Sequence, residues 1–275
     1  MPVALERRLA RLEGAPAHEV LALRYATWMT TRAHCFMEYE RYGEADAPMR
    51  MDFFLWVLRR GERVIVVDTG FEPGAGARRA RECLIEPVRA LRSLGVEPAE
   101  VSDVVLTHLH YDHIGNVGAF PRATLHLHAR ELDFWQSPAA QQEMHAALVE
   151  QGDLEAIRSA ERAGRVRRID DDAEVAPGVL ALWSGGHTPG QLLVAVAARD
   201  SLVVLASDAL HFYEELDRDR PFAVTADVKQ AKAAYALLRG LRALGATLVA
   251  GHDPAVLDAH HPLGGRLGAL AVSIA

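Results

Sequence analysis

Apolar residues along the chain fall into short runs that are suited to strands, separated by segments with helical spacing. The run at 63–67 is apolar almost throughout, so we expect a strand that is buried on both faces of a sheet. Strands are also predicted in the β-rich segments 21–37 and 52–59 and at 104–106, 123–128, 165–169, 179–183, 202–206 and 247–250. Helices are predicted at 77–94 and 227–243, where apolar residues recur at helical spacing. Strands that alternate with helices favour the α/β class.

Two segments stand apart from this alternation. Residues 1–20 are predicted to form a short amphipathic helical extension, which could pack on the domain or on a second subunit of a homodimer. Residues 130–163 are irregular and carry Phe134 and Trp135, so this insert is a candidate lid over a substrate. The composition shows no break within 21–275, which we therefore treat as one catalytic domain.

Composition and charge restrict the kinds of partner. The chain has 275 residues, 50% of them hydrophobic, and a net charge of -7, which disfavours a nucleic-acid partner held through its phosphates. Cys35 and Cys83 show no metal-binding or disulfide spacing, and the N-terminus lacks a signal-peptide core. No apolar run approaches the roughly 20 residues of a membrane-spanning helix. We therefore expect a cytoplasmic protein with a small-molecule substrate and no membrane partner.

The segment Thr107–Asn116 carries most of the candidate chemistry. It places His108, His110, Asp112 and His113 directly after an apolar run. If the segment is extended, alternate side chains share one side, so His108, His110 and Asp112 are expected to project together. Imidazole and carboxylate groups at this density are typical of a metal site.

Three later strands are also predicted to run out into a residue that can bind metal. The strand at 179–183 leads to His187, the strand at 202–206 leads to Asp208, and the strand at 247–250 leads to His252. Loops beyond strand ends are where α/β proteins place functional residues. We expect these loops to meet the His108 segment.

These residues resemble the signature of the metallo-β-lactamase-fold hydrolases, His-x-His-x-Asp-His followed by a distant histidine, an aspartate and a last histidine. The resemblance covers residues 21 to about 260 and implies an αββα sandwich with metals at one edge between the two sheets. It implies that His108, His110 and His187 hold one metal and that Asp112, His113 and His252 hold the other. By the same resemblance, Asp208 bridges the two.

The resemblance implies two divalent metal ions. Zinc is the expected ion. Iron, cobalt and manganese are alternatives, because the ligand set contains no thiolate that would restrict the choice of metal. A hydroxide that bridges the metals would attack an ester or lactone carbonyl. Asp112 is the expected carrier of a proton to the leaving oxygen. Asp68 is expected to orient the ligand loops rather than to bind metal.

Within this superfamily the sequence looks most like the N-acyl homoserine lactonases and their relatives, which include 4-pyridoxolactonase. The similarity lies in the His-Tyr-Asp-His-Ile-Gly-Asn form and in the segment Ser207–Tyr213. Well-known members carry a substrate-holding tyrosine three residues after the bridging aspartate, where this chain has His211, with Tyr213 two positions further on. Either side chain could donate a hydrogen bond to a developing oxyanion.

Two alternative functions stay open at this point. One is a hydrolase of another ester or a thioester, and the other is a mononuclear iron dioxygenase that acts on persulfides. The pair His126 and His128 lacks a following Asp-His, so we interpret it as the polar face of a strand. His260 and His261 follow no predicted strand and are therefore weaker candidates than His252 for the last ligand.

Overall fold

The chain folds into two β-sheets packed face to face, with helices on both outer faces. A computed structural model describes residues 2–275. The strands are β1 Glu19–Thr31, β2 Pro48–Arg60, β3 Arg63–Val67, β4 Glu82–Cys83, β5 Asp103–Val105, β6 Thr124–His128, β7 Val166–Ile169, β8 Ala173–Ala176, β9 Val179–Trp183, β10 Leu192–Ala197, β11 Leu202–Ser207, β12 Thr247–Ala250, β13 His261–Gly264 and β14 Gly268–Ser273. The α-helices are α1 Pro2–Leu9, α2 Arg32–Cys35, α3 Pro73–Arg78, α4 Pro87–Ser93, α5 Tyr111–Ile114, α6 Ala129–Trp135, α7 Glu143–Ala146, α8 Gln151–Arg162, α9 Tyr213–Arg218, α10 Val228–Ala243 and α11 Ala255–Asp258.

Both sheets are mixed. The larger sheet has the order β13-β14-β1-β2-β3-β5-β6-β7, with β4 paired to β1, and its strands from β3 to β7 along that order are parallel. The smaller sheet has the order β12-β11-β10-β9-β8, and its β11–β12 pair is parallel. Parallel strands point their carboxyl ends to the same edge, where the loops that follow them can meet.

Apolar side chains on both faces of the larger sheet build the core. Leu21 and Leu23 of β1 pack with the helices on one face, whereas Val20 and Ala22 point into the space between the sheets. Helix α10 lies on the outer face of the smaller sheet. Its buried residues belong to the same cluster of apolar side chains as Val20 and Ala22. The layers are therefore helix, sheet, sheet, helix, which confirms the predicted αββα sandwich in a single domain.

One predicted helix is wrong. Residues 77–94 contain the end of α3, the short strand β4 and then α4, instead of one continuous helix. Pro87 stands at the first position of α4, where its fixed φ and missing N–H suit a helix start but would break a helix interior. The predicted strand at 21–37 also ends early, because β1 stops at Thr31 and α2 follows.

The two appended segments pack on the domain itself. Position 1 of the predicted 1–20 extension lies outside the described residues; from residue 2 the segment forms α1 and a 3₁₀ turn at Ala10–Leu12, and α1 packs on α10 through Leu5. The 130–163 insert contains α7, α8 and most of α6. Over residues 2–275, none of the helices combines the length and the apolar character that a bilayer crossing requires.

Candidate metal centre

The loop that follows β5 supplies the first candidate ligands. The strand ends at Val105, His108 and His110 lie in the loop, and α5 then carries Asp112 and His113. The prediction of one extended segment from His108 to Asp112 is therefore wrong, because the chain turns into a helix after His110. The four side chains still converge, since the tight turn brings α5 back beside the loop.

The other ligands follow strand ends of the smaller sheet, as predicted. His187 comes after β9, Asp208 directly after β11, and His252 after β12. In each resulting group, one ligand atom from every residue lies within 4.8 Å of the others. The groups are His108, His110, His187 and Asp208, and beside them Asp112, His113 and His252. The histidines and Asp112 divide between the groups as the resemblance implies, with Asp208 falling in the first group, and all seven residues are buried.

Asp208 stands between the two groups. Its Oδ2 lies 3.4 Å from His187 Nε2 and 3.8 Å from His108 Nε2. Its Oδ1 lies 3.2 Å from His113 Nε2 and 3.1 Å from His252 Nε2. The two oxygens of one carboxylate therefore face two separate sets of imidazoles, which is the arrangement needed to share a carboxylate between two cations.

Three of the histidines are held through Nδ1, which leaves Nε2 free to face the centre. His108 Nδ1 lies 3.2 Å from Thr107 Oγ1, and His113 Nδ1 lies 2.8 Å from the carboxylate of Asp68. His252 Nδ1 lies 2.8 Å from the main-chain oxygen of residue 52. A partner on the second ring nitrogen fixes the ring and its tautomer, which is the usual support of a metal-binding histidine.

Asp68 connects the ligand loops, as expected from the sequence. Its carboxylate accepts hydrogen bonds from the main-chain N–H of Thr107 at 2.8 Å and from the Thr107 hydroxyl, and it also holds His113. Both Asp68 and Ser207 have positive φ, at 60° and 45°, a conformation that residues with a side chain rarely adopt. Such strain at two positions beside the ligands is typical of a functional site that the surrounding fold holds in place.

Burial and charge determine the protonation of the cluster. Burial lowers the pKa of His108 and His187 well below the usual value and lowers that of His110 to about 4, so these rings are neutral at pH 7. Burial alone would lower the pKa of His113 as well, but the surrounding aspartates raise it well above the usual range. Burial opposes ionisation of Asp208, yet the histidines around it hold its pKa well below the usual range. The first group thus offers three neutral imidazoles beside the ionised carboxylate of Asp208, whereas His113 carries a proton that a bound cation would displace.

These side chains fit divalent cations. The buried Nε2 atoms of His108 and His113 have no hydrogen-bond partner among the described residues, although an unpaired buried polar atom is costly. Neutral imidazole nitrogens and carboxylate oxygens are ligands of zinc and of similar ions. The first group would hold one cation and the second group another, with Asp208 available to both.

His211 also reaches the centre. Its Nε2 lies 3.0 Å from Asp208 Oδ2, its Nδ1 lies 3.4 Å from a carboxylate oxygen of buried Glu215, and its ring stacks on Phe222 at 3.7 Å between centroids. Burial would lower its pKa, but Asp208 and Glu215 raise it to about 9, so the ring keeps a proton to donate at neutral pH.

Tyr213 is the one predicted site residue whose functional group the structure does not bring to the centre. Its hydroxyl donates to the main-chain oxygen of Leu248 at 3.0 Å, so it braces β12. The sequence left His211 and Tyr213 as equal candidates for the oxyanion donor, and the geometry favours His211.

A cavity of about 700 Å³ opens beside His110 and His187. The insert contributes Phe134 and Trp135 to its wall, and β9 contributes Trp183. The predicted lid segment therefore borders the space next to the ligands. The lining is mainly aromatic and aliphatic, which suits an apolar part of a small molecule.

Two further histidines, His126 and His128, lie on β6. They occupy alternate positions of that strand and belong to neither ligand group, and both are buried against polar partners. His126 pairs with Asp103 at 2.9 Å, and His128 faces the main-chain oxygen of Asp170 at 3.1 Å. Sequence reasoning also missed Glu131, a buried carboxylate that contacts two ligand loops; nothing in the local sequence distinguishes it from an exposed helical glutamate.

An αββα sandwich with histidines and aspartates gathered at the edge between its sheets is the architecture of a metal-dependent hydrolase. A family model of the metallo-beta-lactamase superfamily matches residues 54–252. The chain belongs to this superfamily.

Individual relatives agree with the family. The chain is 26% identical over 207 residues to the N-acyl homoserine lactonase AiiA of Bacillus thuringiensis subsp. kurstaki, covering 69% of this chain and 77% of that protein. It is 31% identical over 233 residues to a probable metallo-hydrolase of Mycobacterium tuberculosis, covering 75% and 73%. The sequence resemblance to the lactonase branch is thereby confirmed.

Solved structures show the same fold. A quorum-quenching N-acyl homoserine lactone lactonase matches with a TM-score of 0.70 and 21% identity, over 87% of this chain and 94% of that one. The dizinc quorum-quenching lactonase AidC matches with a TM-score of 0.71 and 19% identity, over 87% and 89%.

Proposed function

We propose that this protein is a dinuclear metal-dependent hydrolase that opens a lactone ring, with an N-acyl homoserine lactone or a related lactone as substrate. The observation that carries the proposal is the position of Asp208, whose two oxygens face two separate sets of imidazoles. The similarity to a lactonase of Bacillus thuringiensis adds the substrate class.

Two divalent cations, expected to be zinc, would supply Lewis acidity and a water that is ionised near neutral pH. The role of the chain is then to place the lactone and to handle protons. His211 would donate a hydrogen bond to the carbonyl oxygen as negative charge develops on it, since its Nε2 already faces the centre beside Asp208.

Asp112 would carry the proton to the leaving ring oxygen. Its Oδ2 lies 3.7 Å from His113 Nε2 and 4.0 Å from His252 Nε2, so it borders the second ligand group. The Tyr25 hydroxyl donates to the main-chain oxygen of Asp112 at 2.8 Å and steadies the residue. Ring opening consumes one water, breaks the acyl C–O bond and leaves a hydroxy acid.

The geometry also ranks the alternatives. A mononuclear iron dioxygenase needs one metal, whereas a second complete group, Asp112, His113 and His252, lies beside the first. The mainly apolar cavity beside His110 would accept an acyl chain of an acyl-homoserine lactone, and equally the chain of another ester or thioester. The choice among these substrates therefore requires a direct test.

That test is a hydrolysis screen of purified, metal-quantified protein over acyl-homoserine lactones of varied chain length, simple γ- and δ-lactones, pyridoxolactone and a thioester. We expect turnover of at least one lactone, loss of that turnover in Asp208→Asn, and full turnover in the control variant His261→Ala, which changes an exposed histidine outside both ligand groups. Turnover of the thioester alone would overturn the lactonase assignment. If none of these substrates is turned over, the iron-loaded protein is assayed with a persulfide and oxygen, and turnover in that assay alone would favour the dioxygenase.

A further inference from the structure

Glu131 is a fully buried carboxylate that belongs to neither ligand group. It lies in the first turn of α6 and accepts three hydrogen bonds, all from uncharged donors. Its Oε1 accepts from the main-chain N–H of Leu109 at 3.0 Å and from the Trp135 indole at 2.8 Å. Its Oε2 accepts from the main-chain N–H of Gly190 at 2.9 Å.

The two main-chain donors come from the loops that present the first ligand group. Leu109 stands between His108 and His110, and Gly190 follows shortly after His187. One carboxylate therefore ties together the two loops that bring these three imidazoles to one place. The second group is held by other contacts: Asp68 holds His113, and the backbone of residue 52 holds His252.

Close packing leaves this connection little freedom. A Cβ atom added to Gly190 would lie 2.4 Å from Glu131 Cβ and 2.5 Å from its main-chain nitrogen, so the loop after His187 presses directly on α6. Trp135, whose indole donates to the Glu131 carboxylate, has its ring centroid 5.9 Å from that of His110. A shift of Glu131 would therefore move the His187 loop and the wall behind His110 together.

A buried carboxylate without a cationic partner is costly, and it is tolerated where its hydrogen bonds are complete. Replacing it by an amide removes the acceptor for one of the two backbone N–H groups, because an amide has one oxygen and one NH₂. Loss of an outer contact that orients a metal ligand typically weakens metal binding about 10–100-fold.

We propose that Glu131 is a positioning residue for one of the two metal sites, the site formed by His108, His110 and His187. It sets the distance between the His108–His110 loop and the His187 loop without touching the metal. The inference rests on the proposed two-metal function, but it concerns metal affinity and does not depend on which substrate is hydrolysed.

The test is a zinc titration of chelator-stripped protein against a competing chromophoric chelator. The wild type is expected to bind two equivalents tightly. Glu131→Gln is expected to keep one equivalent at wild-type affinity and to bind the other about 10–100-fold more weakly. Amide hydrogen exchange of the stripped variant should speed up at Leu109 and Gly190, whereas the amides of α5 should be unchanged.

Asp103→Asn is the matched control, because Asp103 is another buried carboxylate, paired with His126 and Arg63 away from the ligand loops. It should lower thermal stability and leave both zinc equivalents at wild-type affinity. Gly190→Ala is the second variant in case Glu131→Gln does not fold, and it should weaken the same single equivalent, because its Cβ displaces the His187 loop.

Equal weakening of both equivalents, or wild-type affinity at both in a folded Glu131→Gln or Gly190→Ala variant, would overturn the positioning role. A wild type without two tight equivalents would overturn it as well. A wild type that binds two equivalents but opens no lactone would refute only the proposed substrate.

Discussion

Separate substitutions of His211 and Tyr213 test which residue is the oxyanion donor, a choice that the sequence left open. His211 is 1% exposed and its Nε2 lies 3.0 Å from Asp208, whereas the Tyr213 hydroxyl donates to the main-chain oxygen of Leu248 in β12. We therefore expect His211→Phe to impair catalysis and Tyr213→Phe to impair only stability. Phenylalanine at 211 preserves the stacking on Phe222 but removes both ring nitrogens, the one that faces the centre and the one beside Glu215.

The expected magnitudes follow from these contacts. Removing one oxyanion donor typically lowers kcat by about 10²–10³, or about 2.7–4 kcal/mol. Losing the hydrogen bond from Tyr213 to β12 should cost about 0.5–1.5 kcal/mol of unfolding free energy and should leave kcat/KM within about twofold of the wild type. His211→Gln, which retains an N–H donor, should recover part of the rate.

The assay is lactone hydrolysis followed by pH-stat, with kcat and KM determined separately, and thermal unfolding of each variant. Metal content is measured in parallel, so that loss of activity through loss of metal is recognised. If Tyr213→Phe loses about 10²-fold in kcat while His211→Phe with full metal content does not, the assignment of the oxyanion donor is wrong.

Three further predictions concern stability. Burial and neighbouring acidic groups raise the pKa of Asp153 to about 6. Because the folded-state pKa lies above the unfolded value, the free energy of unfolding falls as pH rises through about 6. Asp153→Asn should flatten this dependence and add roughly 1–2 kcal/mol to the free energy of unfolding at pH 7.5, measured by urea unfolding. Burial opposes ionisation of Asp103, but His126 and other donors lower its pKa to about 2. The stabilisation of the folded state by this carboxylate is therefore lost as pH falls from about 4 to 2. The loss of stability between these pH values should be absent in Asp103→Asn, and an unchanged loss in acid unfolding would contradict the pairing. Gly115→Ala would place a Cβ 2.7 Å from the main-chain nitrogen of Glu72 and should cost about 1–3 kcal/mol by thermal unfolding, with no loss contradicting the packing.

Much of the candidate site is predictable because its ligands follow strand ends or cluster within six positions. His187, Asp208 and His252 each follow an apolar strand. The sheet brings the carboxyl ends of these strands to one edge, independently of the conformation of the loops. The local geometry is less predictable: His110 and Asp112 were expected on one extended face, but α5 begins between them.

Of the residues that hold the ligand loops, Asp68 was predicted, but Glu131 was not, because its contacts with Leu109 and Gly190 span 22 and 59 residues of the chain. Glutamate is a common residue at exposed positions of helices, and only the packed fold shows that Glu131 and Glu215 are buried. The direction of Tyr213 depends on β12, which lies far along the chain. The helix predicted at 77–94 failed for a local reason, since Pro87 starts a new helix.

The dinuclear metal centre is tested most directly by metal analysis of carefully purified protein combined with lactone hydrolysis before and after chelation. We expect two equivalents of a divalent metal, most simply zinc, for each chain, together with loss of hydrolysis on chelation and recovery on readdition of the metal. Protein that holds no transition metal, or that opens lactones equally well in the presence of a strong chelator, would contradict it.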